Sequence, residues 1–314
     1  MKVGIVSVQK KERKGSGFDD ILKELKKRET EYKIFDPKEL FWAEGEFYLF
    51  HGGNVLNLRE ETKDIDIFYL RSILGKGSSP NRESFKMILR LNALESLQKP
   101  IVNEPEAIYK SKDKSWACIN LYHLGVIPRT AVFSLESVKK KEQLMHAVRH
   151  ALIGRRKVVI KPNDRTGGEG CVYIEPQIKY VPFVEAYRFK DLLMQDKIEG
   201  PEYRFWYVGN QFKGAIQRVS AENDFRGNTS RGGTEAPYEP SEKEKELGLK
   251  VVMGHGLEVT ALDLKRDERD NSLKLLEANC YPGWKTLKRV YGRSLAPDVI
   301  SYLEYKVKNS IAKT

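Results

Sequence analysis

Residues 160–172, with the sequence IKPNDRTGGEGCV, predict a two-stranded flap near the middle of this chain. The run KVVIKP at 157–162 is apolar and β-branched like a buried strand, and CVYIEP at 171–176 predicts the returning strand. Gly167, Gly168 and Gly170 lie in the connection. This strand–loop–strand order differs from a dinucleotide-binding turn, in which the glycines lead into a helix.

The flap has the composition of a phosphate-binding loop. Its glycines let backbone N–H groups approach phosphate oxygens closely. Lys161 ends the first strand, where its ammonium group can meet a polyphosphate. The P-loop pattern GxxxxGK[ST] is absent, and a glycine-rich hairpin taken alone is more often only a turn. The phosphate-binding interpretation therefore depends on the rest of the chain.

The N-terminal region predicts a parallel sheet. Strand patterns at 2–8 and 31–37 enclose a helical pattern at 18–27, and this β-loop-α-β order favours parallel pairing. A further buried strand at 64–72 ends on Arg71, at the carboxyl edge where open α/β sheets bind ligands. We expect residues 1–111 to form one lobe on the substrate side.

Two more lobes are expected, at 112–192 and 193–314. The central lobe should hold the flap and a helix at 112–124, with Gly125 as its C-cap. The last lobe should contain β structure at 203–220, a loop at 222–240, a helix at 241–256, two late strands and a helix at 297–308. The predicted fold class is α/β, with two lobes of α+β type.

Three hard oxygen ligands are predicted to meet on the two late strands. Asp263 lies in LEVTALDLK, and Glu277 and Asn279 lie in LKLLEANC. Glu277 and Asn279 are two residues apart, so both side chains face the same side of their strand. The flanking residues are strongly apolar, and a buried carboxylate needs a cation or another partner. Oxygen ligands of this kind suit Mg²⁺ or Mn²⁺.

The loop NDFRGNTSRGG at 223–233 is a candidate anion-binding segment. It holds two arginines, two asparagines and three glycines in eleven residues. Such a density of phosphate-type donors favours ligand binding over an ordinary surface loop.

Composition excludes several classes of protein. The chain has 314 residues, 40% of them hydrophobic, a net charge of +11 and a pI of about 9.3. This is typical of a soluble globular protein, and no apolar run reaches the roughly 18 residues of a membrane span. No signal peptide is recognisable, so a cytoplasmic location is expected. Three widely separated cysteines and five histidines form no disulfide framework or zinc motif. The basic runs lack interleaved aromatics, which argues against nucleic acid as a partner.

These elements, in this order, resemble the ATP-grasp superfamily and, within it, the branch of RimK, the ligase that adds glutamate to a ribosomal protein. DFRGNTSRGG at 224–233 is similar to that branch's DFRxNxxRGG loop, and LLEANCYPG at 275–283 to its metal strand. NEPEAIYKSKDK at 103–114 resembles the segment before its first ATP-contacting lysine. LysX-type and archaeal cofactor glutamate ligases belong to the same branch. The resemblance implies a Rossmann-like lobe followed by two α+β lobes that clasp ATP.

The resemblance also implies residue roles. ATP would contact Lys114, Lys161, Thr166, Gly167, Gly168, Gly170, the hinge residues Gln195, Asp196, Lys197 and Ile198, and Glu202. Arg226 and Asn228 would lie at the phosphates and the acyl phosphate, and Arg218 would stabilise the transferred phosphoryl group. The substrate side would be lined by Arg71, Arg231 and Gly232. Asp263, Glu277 and Asn279 would ligate two divalent ions, Mg²⁺ or Mn²⁺.

The expected function is ATP-dependent ligation of a carboxylate to an amine through an acyl phosphate. L-Glutamate is the favoured amino acid, and the positive net charge favours an acidic acceptor, either a cofactor or a protein tail. Homodimers and homotetramers occur in the family that the chain resembles. Two alternatives stay open: a retired scaffold that binds nucleic acid or an acidic partner, and a kinase that stops after phosphoryl transfer.

Overall fold

Four sheets organise the part of the chain that the computed structural model describes, which is residues 1–8, 17–72, 89–134, 150, 157–163, 171–174, 191–219 and 234–311. The strands are β1 (Lys2–Ser7), β2 (Glu31–Phe35), β3 (Leu40–Ala43), β4 (Glu46–His51), β5 (Asn54–Asn57), β6 (Ile67–Ser72), β7 (Ile101–Val102), β8 (Thr130–Ser134), β9 (Val158–Pro162), β10 (Val172–Ile174), β11 (Asp191–Asp196), β12 (Glu202–Val208), β13 (Gln211–Val219), β14 (Thr234–Tyr238), β15 (Val259–Arg266) and β16 (Leu273–Asn279). The labelled helices are α1 (Gly17–Lys27), α2 (Leu58–Glu61), α3 (Pro105–Lys112), α4 (Lys114–Asn120), α5 (Glu242–His255), α6 (Lys285–Tyr291) and α7 (Ala296–Ile311).

The N-terminal sheet is parallel, as predicted, with the strand order β2-β1-β6-β7. β1 is mostly apolar and buried because Val3 and Ile5 pack into one hydrophobic cluster and Val6 into another, on the opposite face of the sheet. α1 crosses between β1 and β2, with acidic residues in its first turn and lysines in its last, which suits the helix dipole. Arg71 lies near the carboxyl end of β6, at the sheet edge expected to bind ligands.

The central sheet has the order β10-β9-β11-β8 and contains the two predicted flap strands. β9 and β10 pair antiparallel, with Ile160 opposite Val172. The helix predicted at 112–124 is confirmed over Lys114–Asn120 as α4, but it starts two residues later than predicted. Lys112 belongs to α3, and the chain leaves helical geometry at Asp113, whose side chain caps α4 by accepting a hydrogen bond from the Trp116 N–H. Gly125 ends a following 3₁₀ turn at φ 70°, so its capping role is confirmed.

The C-terminal sheet is antiparallel, with the order β14-β13-β12-β15-β16. The predicted helix at 241–256 is confirmed as α5 and begins with a capping box between Ser241 and Glu244. The predicted loop at 222–240 is wrong for residues 234–238, which form β14 because they pair along β13. The hydrogen bonds come from the neighbouring strand, so the polar, proline-containing sequence of this segment does not predict them by itself.

One hydrophobic cluster joins the parallel and C-terminal sheets. It contains Ile5 and Tyr69 from the first sheet and Trp206 from the second. Trp284 and Leu303, from the segments after β16, complete the connection. Both tryptophans are fully buried. This shared core fixes the carboxyl edge of the parallel sheet beside β16, where the predicted metal ligands lie.

Candidate active site

Two lysines predicted to contact ATP converge from different elements. Lys114 is the first residue of α4, and Lys161 lies on β9. Lys114, Lys161, Gln195 and Glu277 line one cavity together. Burial lowers the pKa of Lys114, the Glu277 carboxylate opposes that shift, and the nearby positive Lys161 adds to it. The central sheet and β16 therefore present opposite charges to one space.

Two of the three predicted metal ligands are direct neighbours across a pair of strands. Asp263 on β15 lies opposite Glu277 on β16, and Asn279 lies opposite Ala261. Directly opposed residues of an antiparallel pair project to the same face. The Asn279 Oδ1 atom already accepts a hydrogen bond from the Tyr281 N–H at 3.0 Å. An amide oxygen retains a second lone pair, so Asn279 keeps capacity for a ligand.

Arg204, a largely buried residue that the sequence analysis missed, binds the Asp263 carboxylate. The Arg204 Nε and Nη2 atoms donate to the Asp263 Oδ1 and Oδ2 atoms at 2.6 and 2.5 Å. Arg218 donates through Nη1 to Glu202 at 2.8 Å and to the Asp263 Oδ1 atom at 3.3 Å. Arg204 and Glu202 alternate along EYRFWYV, so two charges at period two in an apolar strand were the available signal.

The donor set suits a hard divalent cation. Asp263 and Glu277 offer carboxylate oxygens and Asn279 offers an amide oxygen, which are ligands that Mg²⁺ accepts. No group of three or more His, Cys, Asp or Glu side chains suited to a metal occurs within the described ranges. The residues present therefore fit Mg²⁺, with phosphate and water oxygens needed to complete the coordination.

The predicted hinge runs along the end of β11. The Gln195 side chain is buried and donates to the Thr130 hydroxyl at 2.8 Å. The backbone N–H groups of Asp196 and Lys197 already donate to Arg129 and Lys157. Asp196, Lys197 and Ile198 also border an open cleft of about 1050 Å³. Lys114 and Lys161 do not line that cleft, so it is distinct from the space between the two lysines.

The predicted substrate arginine lies against Trp284. The Arg71 guanidinium stands over the Trp284 ring, 5.5 Å from its centroid. The Arg71 Nε atom is buried and has no hydrogen-bond partner among the described residues. The Trp284 ring also packs against Gly17, where a Cβ atom would lie 3.0 Å from it. Arg71 is thus held at the sheet edge with unused donor capacity.

Several predicted site residues lie outside the described part of the chain. They are Thr166, Gly167, Gly168 and Gly170 of the flap, and Arg226, Asn228, Arg231 and Gly232 of the anion-binding loop.

Comparison with known proteins identifies the family. A model described as the RimK-like ATP-grasp domain matches residues 112–303. A probable alpha-L-glutamate ligase of Xanthomonas euvesicatoria pv. vesicatoria (strain 85-10) is 30% identical over 225 residues, which cover 70% of this chain and 74% of that protein. A second, from Enterobacter sp. (strain 638), is 28% identical over 220 residues and covers 68% and 70%.

Solved structures share the fold at low sequence identity. The ATP-grasp ligase PsnB in complex with a minimal precursor superposes with a TM-score of 0.69 at 18% identity, covering 97% of this chain and 98% of that one. A D-alanine–D-alanine ligase from Bacillus anthracis superposes with a TM-score of 0.65 at 15% identity, covering 98% and 99%. PsnB has also been solved with Mg and ADP.

No described helix is both long enough and apolar enough to cross a membrane. ATP-grasp ligases use ATP and Mg²⁺, and the named relatives are ligases. The chain is a member of the RimK-like ATP-grasp family and an ATP-dependent carboxylate–amine ligase.

Proposed function

We propose that the protein adds L-glutamate, or another amino acid, to an acidic acceptor through an acyl-phosphate intermediate. The relatives named as probable alpha-L-glutamate ligases are the observation that carries the choice of amino acid. The acidic acceptor is supported by Arg71, whose unused Nε donor lies at the edge of the parallel sheet. A cofactor carboxylate and a protein tail share this chemistry.

The residues divide the reaction between two sides of the site. Lys114 and Lys161 would neutralise the ATP phosphates, because both residues line the cavity that Glu277 also lines. Arg218 would stabilise the transferred phosphoryl group, since its buried Nε atom lacks a partner among the described residues. Arg226 and Asn228 would act at the acyl phosphate, and Glu202 would accept the ribose hydroxyls.

Asp263, Glu277 and Asn279 would hold the divalent ions, two in number and either Mg²⁺ or Mn²⁺. Bound there, the ions would supply positive charge to the phosphates during transfer. The metal site would thus serve the first step.

The carboxylate of the acceptor is a poor electrophile until it is phosphorylated, and the amine then attacks the acyl carbon. Arg71, Arg231 and Gly232 would orient the acceptor. We also propose the division into lobes at 1–111, 112–192 and 193–314.

The test is turnover with defined substrates. Purified protein is incubated with ATP, Mg²⁺, L-glutamate and a panel of acidic peptides and carboxylated cofactors, and products are weighed by mass spectrometry. A product heavier by one glutamyl residue, formed together with ADP and phosphate, supports the proposal. A product that contains a different amino acid would show that glutamate is not the substrate, while the ligase activity would still be supported.

A matched pair of variants links turnover to the candidate site. Glu277→Gln should abolish metal-dependent turnover without unfolding the protein, whereas Glu239→Gln changes an exposed carboxylate and should leave it intact. A phosphorylated acceptor without an amide would favour a kinase. Tight RNA binding without any turnover would favour a retired scaffold.

A further inference from the structure

The Asp263 carboxylate has little bonding capacity left for a metal. Two carboxylate oxygens together offer about four lone-pair directions. Arg204 takes one on each oxygen, at 2.6 Å on Oδ1 and 2.5 Å on Oδ2. Arg218 takes a second on Oδ1, at 3.3 Å. Within the described residues, one direction on Oδ2 is left.

Burial makes this arrangement rigid. The Arg204 and Asp263 side chains are 17% and 13% exposed, so water competes little for their hydrogen bonds. The guanidinium forms a planar fork that matches both oxygens at once, which fixes the plane of the carboxylate as well as its position. The carboxylate is therefore held in one orientation by the two arginines.

We propose that Arg204 is a positioning residue that restricts Asp263 to binding a divalent ion through a single oxygen, Oδ2. The inference rests on the proposed metal-binding role of Asp263. A bidentate carboxylate would need a lone pair of each oxygen on the same side, and the Arg204 fork already occupies them. Glu277, directly opposite on β16, would supply the neighbouring oxygen ligand.

Restriction to one oxygen has a consequence for the choice of cation. Mg²⁺ demands near-ideal octahedral geometry, which single oxygens satisfy. Ca²⁺ accepts more ligands in flexible geometry and readily takes both oxygens of a carboxylate. A fixed Asp263 should therefore favour Mg²⁺ over Ca²⁺. Loss of the fork should free the carboxylate to rotate and shift the preference toward Ca²⁺.

The test compares Arg204→Gln and Arg204→Lys with the wild type. Mn²⁺ binding to the protein with ADP is followed by electron paramagnetic resonance, and Mg²⁺ and Ca²⁺ are used as competitors. Cation binding by free ADP is the same for every variant and cancels from the comparison. Lysine keeps the positive charge but loses the fork, so this variant separates orientation from charge and protects against unfolding.

Arg266→Gln is the matched control. Arg266 lies on β15 and pairs with Glu244, and these side chains are 19% and 16% exposed, close to the values of the Arg204–Asp263 pair. Arg266 packs over Tyr203, which alternates with Glu202 and Arg204 along β12 and so lies on the opposite face of the sheet. If the loss of any largely buried ion pair weakened cation binding, Arg266→Gln would show the same loss of affinity as the Arg204 variants.

The expected result is a Mg²⁺ affinity reduced about 10- to 100-fold in both Arg204 variants, with a smaller loss for Ca²⁺, and unchanged affinities in Arg266→Gln. An unchanged ratio of Ca²⁺ to Mg²⁺ affinity in Arg204→Lys would overturn the positioning role. Asp263→Asn tests separately whether Asp263 binds a cation at all. If it binds cations like the wild type, the metal assignment fails and the positioning role falls with it; if it loses them, only the Arg204 ratio decides.

Discussion

The indole N–H of Trp284 donates a hydrogen bond to the Asp20 carboxylate at 3.1 Å and so ties the segment after β16 to helix α1. Asp20 also accepts from Lys288 at 2.8 Å and from Ser294 at 2.9 Å. Burial acts to raise the pKa of Asp20, but these three donors outweigh it and lower the pKa. Because Arg71 stands over the Trp284 ring, the same contact sets the position of the candidate acceptor arginine.

Removal of the Asp20 carboxylate should destabilise the protein. Asp20→Ala leaves the fully buried Trp284 with an N–H group that has lost its acceptor, which costs about 1–3 kcal/mol. Lys288→Gln should cost less than about 1 kcal/mol, because Lys288 is half exposed and its ion pair is screened. Urea unfolding of both variants checks this. Equal losses would contradict a central role for the Trp284 bond.

The Lys161 side chain should contribute directly to ATP affinity. Lys161→Ala removes a charge that borders the space near Glu277, and a lost charged hydrogen bond of about 1.5–3 kcal/mol predicts roughly 10- to 100-fold weaker binding. Isothermal titration with a non-hydrolysable ATP analogue measures it. Lys63→Ala is the control, since that lysine is exposed, pairs with Glu60 and lines neither the cavity nor the cleft beside the hinge. Unchanged affinity in Lys161→Ala would exclude Lys161 from the nucleotide site.

Nucleotide binding should be accompanied by proton uptake at Lys114. The pKa of Lys114 is lowered in the free protein because the side chain is buried and Lys161 is close, with Glu277 opposing. Anionic phosphates nearby would raise this pKa. At a pH above the pKa of Lys114 in the free protein, nucleotide binding would therefore protonate a fraction of the neutral lysine. Titrations in buffers of different ionisation enthalpy report the uptake. Lys114→Gln should lose it, and an undiminished signal in that variant would assign the proton elsewhere.

The buried His255 should make the protein less stable in mild acid. Burial lowers the pKa of His255, a bond to the Val251 carbonyl opposes, and the positive Lys110 adds to the lowering. The unfolded chain therefore binds a proton more readily. The contribution of neutral His255 to the free energy of unfolding is fully present above the unfolded-state pKa of about 6.5. It falls as the pH drops toward the pKa of the folded state. Urea unfolding at pH 7.5 and 5.5 should show this, and His255→Gln should weaken the dependence.

The helical Gly248 should resist replacement by alanine. Alanine is the better helix former by about 1 kcal/mol, but a Cβ atom here would overlap the Tyr207 hydroxyl. Overpacking of about 1–3 kcal/mol should outweigh the gain, so Gly248→Ala lowers the melting temperature. Tyr207→Phe removes the hydroxyl and should recover part of the loss. Lys250→Ala, on the exposed side of α5, should cause no such loss.

Local periodicity was sufficient for much of the fold. β1, β9 and β15 were predicted because each is a compact apolar run, and the pattern that marks a buried strand is contained in its own residues. The start of α4 was predicted two residues early, at Lys112, because the Asp113 cap is a single side-chain hydrogen bond that hydrophobic periodicity does not mark. β14 was missed because its hydrogen bonds come from β13, fifteen or more residues earlier in the chain.

The sequence by itself predicted which groups form the candidate site: Lys161 and three oxygen ligands from their residue types and neighbours, and the ATP contact of Lys114 and the substrate role of Arg71 from the family resemblance. Tertiary structure decided how these groups share space. It placed Asp263 opposite Glu277 and between Arg204 and Arg218, and it set Arg71 against Trp284. Strand register and the packing of the sheets against each other join residues far apart in the chain. No local pattern encodes those distances, so only the folded chain reveals which charges are paired and which are available.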